Sequence, residues 1–362
     1  MNKGTLKGTK FDGISTSSEI NSEPNDINDF DEIRYTLEGF PVDNRYKTLD
    51  GINIVNRISY YDAAIWTTQT SNFGGSGVFS VAYGNNLWVA GGGGGQIRTS
   101  TDAITWTTQT SNFGTSTINS VAYGNDLWVA VGNSGALRTS TDAITWTTRT
   151  SNFGTTQINS VAYGNNLWVA GGESLQIRTS TDAITWTTQT SNFLGSGGVN
   201  SVAYGDNLWV AVGDSGQLRT STDAITWTSR SSGFNSGNVN ILSVAYGDNL
   251  WVAVGNVPNL STSTDAITWT TQRSNFTTDI NSVAYGNNLW VAGASNGGLR
   301  TSTDAITWTT QTSNFGQTSI NSVAYGNDLW VAVGNFGQLR TSTVKRAAPP
   351  FIFNNIVRGF TK

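Results

Sequence analysis

A repeat of about 40 residues covers most of the chain and restricts its fold more than any other feature. The string Ser-Val-Ala-Tyr-Gly occurs seven times, and its tyrosines follow one another at steps of 40, 40, 41, 42, 39 and 40 residues. Repeats of this length, built from short β-type runs between turns, are typical of four-stranded propeller blades. The 41 glycines and 5 prolines also favour many short strands joined by tight turns over a helical bundle.

Each repeat divides into four predicted strands, and the unit around residue 130 illustrates the division. The innermost strand is predicted over residues 118–124 and the second over 127–132. The third is predicted over 136–141 and the fourth over 144–150. β-Branched and aromatic residues fill these runs, and Asn-Asp, Asn-Ser-Gly and Asp-Ala separate them, as expected of strands joined by short hairpin turns.

The strand order is staggered along the chain, and this predicts how the ring closes. The chain enters on a fourth-strand signature at Asp62 and leaves on a third strand that ends at Thr343. We therefore predict an all-β, seven-bladed β-propeller over residues 58–344, in which an N-terminal strand completes the last blade. Such a closure covers a sheet edge that would otherwise be exposed. Two tails flank the ring: residues 1–57, polar and then partly docked, and residues 345–362, basic and apolar.

The composition excludes several kinds of chemistry. The chain contains neither cysteine nor histidine, which removes thiol nucleophiles, Ser-His-Asp triads and most transition-metal sites, so we predict no metal and no cofactor. A formal net charge of −4 makes nucleic acid an improbable partner. No run of 18 apolar residues is present, so we predict no membrane span, and the first residues lack the apolar region of a signal peptide. The compartment stays open, with an extracellular or virion-surface location suspected.

The turn before the fourth strand carries a resemblance to a known repeat. Residues 100–106 read Ser-Thr-Asp-Ala-Ile-Thr-Trp, which resembles the Asp-box, or BNR, repeat of sialidase-type propellers. The sequence departs from that repeat by being one residue shorter and by lacking its glycine. The family includes sialidases, photosystem II assembly-factor propellers and uncharacterised bacterial and viral repeat proteins, and this chain is most similar in character to the last group. The resemblance implies that the aspartate and serine brace the turn and that the tryptophan packs into the blade.

Seven aspartates occupy this position, and two roles are open to them. They could bind cations or sugars, or they could accept backbone N–H bonds within the turn. Occurrence in every blade favours the structural role, since a device of the fold is needed everywhere and a single catalytic site is not. Two tryptophans per blade are likewise predicted to fill the core rather than to stack on sugars. The structural aspartates are Asp62, Asp102, Asp142, Asp182, Asp223, Asp265 and Asp304.

Two further repeated positions are candidate ligand-binding residues. An arginine on the third strand could hold anions or form a solvated stripe, and Ser261 replaces it in the fifth unit. A phenylalanine after the fourth strand could pin the connection between blades or face a partner. The arginines are Arg98, Arg138, Arg178, Arg219, Arg300 and Arg340. The phenylalanines are Phe73, Phe113, Phe153, Phe193, Phe234, Phe276 and Phe315, of which Phe113 and Phe153 are carried forward as ligand-binding candidates.

Differences between the repeats gather in two loops that a propeller places on the same face. These are the loop after the second strand and the connection between blades. Variation confined to one face suggests that this face is a binding surface, and simple drift in tolerant loops is the open alternative. Symmetric arginines and a single glutamate in the ring, Glu173, argue against a sialidase-like glycosidase. We predict a non-catalytic, lectin-like or protein-binding propeller for a glycan or protein ligand. The alternative is a structural or assembly component, such as a virion or phage tail surface protein, that is anchored by its tails. Whether the tails dock on the ring or on another chain stays open.

Overall fold

The computed structural model describes residues 65–234, 239–256 and 259–343, and these form an all-β propeller of seven blades. Each blade is one sheet of four antiparallel strands, as predicted, and in six of the blades the strands follow in sequential order. Helix within these ranges is limited to four single turns of 3-10 helix: Gly93–Gly95, Asn133–Gly135, Asp214–Gly216 and Asn335–Gly337. Asp62 and the two predicted tails, 1–57 and 345–362, lie outside the described residues, so the predicted domain boundaries stay predictions.

The strands are numbered in chain order, and blade 1 begins at the second of them. The first strand, β1 (Thr67–Gln69), belongs to blade 7. Blades 1 and 2 are β2 (Val78–Gly84), β3 (Leu87–Gly92), β4 (Ile97–Ser100), β5 (Thr107–Gln109), and β6 (Ile118–Gly124), β7 (Leu127–Gly132), β8 (Leu137–Ser140), β9 (Thr147–Arg149). Blades 3 and 4 are β10 (Ile158–Gly164), β11 (Leu167–Gly172), β12 (Gln176–Ser180), β13 (Thr187–Gln189), and β14 (Val199–Gly205), β15 (Leu208–Gly213), β16 (Leu218–Ser221), β17 (Thr228–Arg230).

The remaining strands complete the ring. Blades 5 and 6 are β18 (Ile241–Gly247), β19 (Leu250–Gly255), β20 (Asn259–Ser263), β21 (Thr270–Arg273), and β22 (Ile280–Gly286), β23 (Leu289–Ala294), β24 (Leu299–Ser302), β25 (Thr309–Gln311). Blade 7 contains β26 (Ile320–Gly326), β27 (Leu329–Gly334) and β28 (Leu339–Ser342). Its fourth strand is β1, so blade 7 joins the two ends of the described chain.

The closing strand confirms the predicted splice. β1 pairs with β28 in antiparallel register, with Thr67 opposite Thr341 and Gln69 opposite Leu339. The Gln69 Nε2 donates to Thr341 Oγ1 at 2.8 Å, which is the bond that Gln109 and Thr99 make inside blade 1. The blade formed from both ends is therefore built like a blade formed from one continuous segment.

The first hairpin of each blade follows directly from its sequence. In blade 2 the turn residues Asn125 and Asp126 have φ values of 48° and 54°. Two successive positive φ angles define a type I′ turn, which asparagine and aspartate tolerate and which matches the twist of paired strands. The turn sets Tyr123 opposite Trp128, and their ring centroids lie 4.9 Å apart. The same pair recurs in all seven blades with centroids 4.9–5.1 Å apart.

The hydrophobic core lies between blades rather than inside a single sheet. At the junction of blades 1 and 2, Val89 and Ile97 pack against Ile118, Trp128 and Trp146, all buried. Seven clusters of this kind occupy the seven junctions of the described ring. Both tryptophans of each repeat belong to these clusters, so their large apolar area fills the wedge between neighbouring sheets.

The innermost strands are tied to each other by a belt of contacts around the axis. The backbone N–H of Val121 donates to Ser80 Oγ of the preceding blade at 3.0 Å. Equivalent bonds of 3.0–3.4 Å cross all seven junctions, including the one between blades 7 and 1. At the turn-face end of the same strands, a Cβ on Gly124 of β6 would lie 2.3 Å from the Tyr163 ring of β10. Only glycine therefore allows β6 and β10 to approach this closely.

Candidate functional site

The connection between blades is a clasp made by three residues. Between blades 1 and 2, Ser111 Oγ donates to the Gly95 carbonyl oxygen, and Asn112 Nδ2 donates to the Trp146 carbonyl oxygen at 2.6 Å. Asn112 has a φ of 60°, a conformation that asparagine adopts more readily than most residues. Phe113 then enters the core between the two blades and is 4% exposed. The repeated Ser-Asn-Phe segment thus joins consecutive blades.

The repeated arginine packs on this clasp. The Arg138 guanidinium carbon lies 4.8 Å from the centroid of the Phe113 ring, and its Nη2 donates to the Asn112 carbonyl oxygen at 2.8 Å. Burial lowers the pKa of Arg138 from its usual value, although a guanidinium remains protonated in proteins. The same ring contact, at 4.6–4.8 Å, is made by Arg98, Arg138, Arg178, Arg219, Arg300 and Arg340.

The predicted ligand-binding arginines and phenylalanines are the residues that make these contacts between blades. Phe113 and Phe153 are 4% and 2% exposed, so neither ring is offered to a ligand. The arginines already bind backbone carbonyl oxygens and are not a solvated stripe, since Arg98, Arg178, Arg219 and Arg340 are buried. Their geometry is that of a structural pin, and ligand binding by these residues stays a prediction.

Blade 5 lacks the arginine, and the clasp that joins it to blade 4 lacks the asparagine. Ser261 replaces the arginine and is fully buried, and Gly233 replaces the asparagine. Gly233 has a φ of 76°, and a Cβ placed there would lie 3.0 Å from Ser261 Oγ. A side chain at residue 233 would therefore crowd the Ser261 hydroxyl, and glycine leaves room for it.

We expect Arg138→Ser to lower the free energy of unfolding by about 1–3 kcal/mol. The substitution removes a cation–π contact and the charge-assisted bonds from Arg138 to the Asn112 carbonyl oxygen. Arg149→Gln is the matched control, because Gln109 stands at the same position in blade 1 and makes the same bond to a threonine hydroxyl. The control should change stability by less than about 0.5 kcal/mol in urea unfolding. Equal effects of the two substitutions would contradict the structural role of Arg138.

The aspartates brace the turn between the third and fourth strands. In blade 2, Asp142 Oδ1 accepts the backbone N–H groups of Ile144 and Thr145, both at 2.8 Å, and the Ser140 hydroxyl at 2.8 Å. The indole N–H of Trp146 donates to the Ala143 carbonyl oxygen at 2.9 Å and closes the turn from below. The same pattern holds at Asp102, Asp142, Asp182, Asp223, Asp265 and Asp304.

These turns predict loss of stability in acid. The N–H groups of Thr268 and Ile267 lower the pKa of Asp265 from 3.8 to about 2. A pKa that is lower in the folded state contributes stability above the unfolded pKa, and that contribution is lost as the pH falls through the folded pKa. The free energy of unfolding should therefore fall between about pH 4 and pH 2. Urea unfolding of Asp265→Asn across this range should show a shallower fall than wild type, and an identical fall would refute the assignment.

We define the loop face as the face formed by the loops after the second strands and by the connections between blades. The two meet directly: the Asn133 N–H donates to the Thr117 carbonyl oxygen at 3.0 Å, and Ser151 Oγ donates to the Gly135 carbonyl oxygen at 2.7 Å. The opposite face, formed by the hairpin and aspartate turns, is termed the turn face. The repeats differ mainly on the loop face and are nearly identical on the turn face.

Asparagines at the start of the innermost strands line the loop face around the axis. Asn119 Nδ2 donates to Asn133 Oδ1 at 3.0 Å and to the carbonyl oxygen of Ile158, in the next blade, at 2.9 Å. The bond to the next blade is repeated by Asn159, Asn200, Asn281 and Asn321. Phe79 and Leu242 stand at this position in blades 1 and 5. The inner edge of the loop face is thus polar in five blades and apolar in two.

Three large apolar side chains are exposed on the loop face in the described part of the chain. Phe79 is 37% exposed, Phe336 71% and Leu194 75%. Sequence reasoning passed over them, although all three stand among the blade-to-blade differences that it singled out. Alignment of the repeats could have identified them, because glycine, serine or asparagine occupies the equivalent position in other blades. Exposed isoleucines on the turn face, such as Ile144, are by contrast repeated in every turn.

No group of three or more histidine, cysteine, aspartate or glutamate side chains is placed to hold a metal ion in the described ranges. Nor does any helix in the described part of the chain have the length and apolar character needed to span a membrane.

Comparison with known proteins places the chain among β-propellers. A family model described as the DUF6242 beta propeller domain matches residues 149–282. No curated protein matches the sequence. Among solved structures, YCF48 from Cyanidioschyzon merolae is similar with a TM-score of 0.61 at 17% identity, covering 76% of this chain and 98% of that one.

Two further structures share the fold at low identity. YCF48 bound to D1 peptide has a TM-score of 0.63 at 14% identity, covering 80% of this chain and 98% of that one. A catalytically inactive virginiamycin B lyase from Staphylococcus aureus, with quinupristin, has a TM-score of 0.69 at 9% identity, covering 78% of this chain and 99% of that one. At these identities the likeness is one of fold.

Proposed function

We propose that this chain is a non-catalytic binding propeller whose loop face holds a protein or peptide ligand. The observation that carries the proposal is the confinement of blade-to-blade differences to that face. Six described turns on the opposite face repeat one bonding pattern, so that face is a scaffold. Loops held by a rigid scaffold are where binding residues usually occur.

A non-catalytic role agrees with how the charged groups are used. A single active site needs an asymmetric cluster of reactive groups, whereas the aspartates and arginines here are repeated from blade to blade and bonded within the fold. The contacts of Asp142 and Arg138 illustrate this, since each is directed at backbone groups of its own turn or clasp. These repeated charged groups therefore give no support to a sialidase-like activity.

The comparison with YCF48 supports a protein ligand over a glycan. A propeller of similar fold is recorded bound to D1 peptide, which makes peptide binding a documented use of this architecture. A glycan ligand stays the alternative, because asparagine side chains around the axis could also bind hydroxyl groups. A structural or assembly role anchored by the tails is compatible with either ligand, and the residues that would anchor it lie outside the described ranges.

The proposal is tested with the full-length protein, immobilised and screened in parallel on a phage library of random 12-residue peptides and on a glycan array. Hydrogen exchange of the protein with a synthesised binder then identifies the face. We expect slower exchange in the loops near residues 93–96 and 133–136 and unchanged exchange in the turns near 101–106 and 141–146. Binding to saccharides alone would assign a lectin-like function. Protection of the turn face alone, or no binder from either screen, would contradict the proposal.

A further inference from the structure

The turn face of the described ring is negative in every blade. Its described turns contain ten aspartates and neither lysine nor arginine. Four of these aspartates stand in the hairpin turns between the first and second strands: Asp126, Asp206, Asp248 and Asp328. The other six are the braces Asp102, Asp142, Asp182, Asp223, Asp265 and Asp304. Aspartate is ionised at neutral pH, so no described charge on this face opposes the negative ones.

The loop face carries the opposite charge. Nine arginines lie near the start of third strands or at the end of fourth strands, against three carboxylates in the described loops, Glu173, Asp214 and Asp279. Six of the nine are the arginines that pack on the clasps, and a guanidinium keeps its charge there. The other three are Arg149, Arg230 and Arg273. Buried charges also contribute to the field over a surface, so the loop face is positive on balance.

The turn face also exposes an isoleucine in each described aspartate turn, and the fold makes no use of its side chain. The Ile144 N–H donates to Asp142 Oδ1, a bond that any residue other than proline could make. The six isoleucine side chains are 47–55% exposed. They are Ile104, Ile144, Ile184, Ile225, Ile267 and Ile306. Burial of these side chains by a partner would be favourable.

The loop face exposes its own apolar side chains, Leu194, Phe79 and Phe336. Phe336 has φ 56° and ψ 32°, the left-handed region that bulky residues avoid. The two phenylalanines meet where blade 7 joins blade 1. There the ideal Cβ position of Gly77 is 3.0 Å from Phe79 Cζ and 3.3 Å from Oδ1 of Asn335, the neighbour of Phe336. Both faces therefore combine charge with exposed apolar groups.

The repetition of the turn face suits a partner that is itself a ring. Six described aspartate turns repeat one bonding pattern, so neighbouring blades present nearly the same surface. The loop-face arginine likewise recurs in six of the seven blades. Two rings set on one axis would therefore repeat the same attraction around the contact. Several weak contacts made together give a much tighter association than any one of them.

We propose that the loop face of one copy of this chain binds the turn face of a second copy, so that the rings stack head to tail. This inference rests on the proposed function and names the protein ligand of the loop face. The arginines of one ring face the aspartates of the next, and the exposed phenylalanines and leucine pack among the isoleucines. Because the two surfaces differ, the contact is heterologous, and every stack keeps one free face of each kind.

Sedimentation velocity of the full-length protein over a range of concentrations tests the stacking. In about 50 mM NaCl we expect dimers and longer species whose share grows with protein concentration. In about 500 mM NaCl we expect them to dissociate reversibly, because salt screens charges at a surface. A protein that sediments as a monomer in both salt concentrations would overturn the inference.

Two variants that both remove negative charge separate attraction between faces from a general effect of net charge. The first replaces Asp126, Asp206, Asp248 and Asp328 by asparagine, which other blades carry at these positions, so it is expected to fold. It should weaken association roughly tenfold or more. The matched control is Glu173→Gln on the loop face, which keeps an acceptor for Asn159. It should leave association unchanged or tighter, and weakening by the control alone would contradict the stacking.

A mixing experiment determines the orientation of the rings. A loop-face variant combines Arg149→Gln, Arg230→Gln, Phe79→Asn and Phe336→Ser, all of them residues found in equivalent blades. The loop-face variant and the fourfold turn-face variant should each be mostly monomeric. An equimolar mixture should form pairs that grow no further, because only one intact face of each kind can meet.

The outcomes also separate this inference from the proposed function. A mixture that stays monomeric while wild type associates, or a turn-face variant that associates as tightly as wild type, would overturn head-to-tail stacking. Monomeric protein together with a peptide that protects the loop face would overturn the stacking alone. Monomeric protein together with no binder from either screen would overturn both.

Discussion

Gly124→Ala will lower the free energy of unfolding by about 2–4 kcal/mol, one of the two largest effects expected from a single substitution in this protein. The added Cβ would lie 2.3–2.5 Å from Cγ, Cδ1 and Cβ of Tyr163 in the next blade. Neither partner can move easily, since the belt of Ser–Val bonds fixes both innermost strands. Urea unfolding followed by tryptophan fluorescence measures the change.

Gly75→Ala is the control for this substitution. An added Cβ at Gly75 meets nothing within 4 Å, and its φ lies outside the left-handed region. Its effect should stay within about 0.5 kcal/mol. If Gly124→Ala were as mild as Gly75→Ala, the close approach of neighbouring innermost strands described here would be wrong.

Trp66→Ala will cost about 3–5 kcal/mol, because it empties a fully buried site at the strand that closes the ring. Trp66 packs with Leu289 and Val291 of blade 6 and with Trp330 of blade 7. It also packs with Phe315 in the connection between these two blades. Loss of the indole removes the main apolar anchor of β1, whose pairing with β28 spans three residues. We therefore expect β1 to detach at lower urea concentration than is needed to unfold the remaining blades.

The adjacent Ile65 supplies the control, since its side chain is 77% exposed. Ile65→Ala should leave stability within about 0.5 kcal/mol of wild type. Limited proteolysis of Trp66→Ala should cut near β1 before it cuts elsewhere in residues 65–343. Simultaneous cleavage of all blades at the wild-type rate would show that Trp66 does not hold the closure.

The sequence predicted the fold in detail where local pattern decides it. The first two strands of blade 2 were predicted over 118–124 and 127–132, as observed, because alternation and the type I′ turn fix both ends. The fourth strand was predicted over 144–150 and is Thr147–Arg149. The first residues of the predicted strand instead belong to the aspartate turn. There the Ile144 N–H donates to Asp142 Oδ1 and the Ile144 side chain is exposed. β-Propensity alone does not separate a strand from such a turn.

The candidate site was less accessible to sequence reasoning. The repeated arginines and phenylalanines were recognisable as a set, but their stacking on each other requires the wedge between two blades. Phe79 and Phe336 are 257 positions apart, and only ring closure makes them neighbours. Comparison of the repeats identified the right loops, whereas the exposure of particular side chains depended on the assembled ring.

The closing strand has a consequence for how the molecule reaches its native state. β1 is synthesised first and pairs with a strand that lies some 270 residues later, Gln69 with Thr341. The sequence Leu/Ile-Arg-Thr-Ser of β28 recurs in β4, β8, β12, β16 and β24, so β1 meets nearly equivalent partners throughout synthesis. Local chemistry does not tell them apart. The difference between them is whether their outer edge is still unpaired. Each earlier third strand pairs with its own fourth strand as soon as that segment is synthesised, and β28 has no such strand after it. Fidelity of assembly is therefore a matter of timing, and two concentrated chains that close at the same moment can exchange β1 and form a swapped dimer.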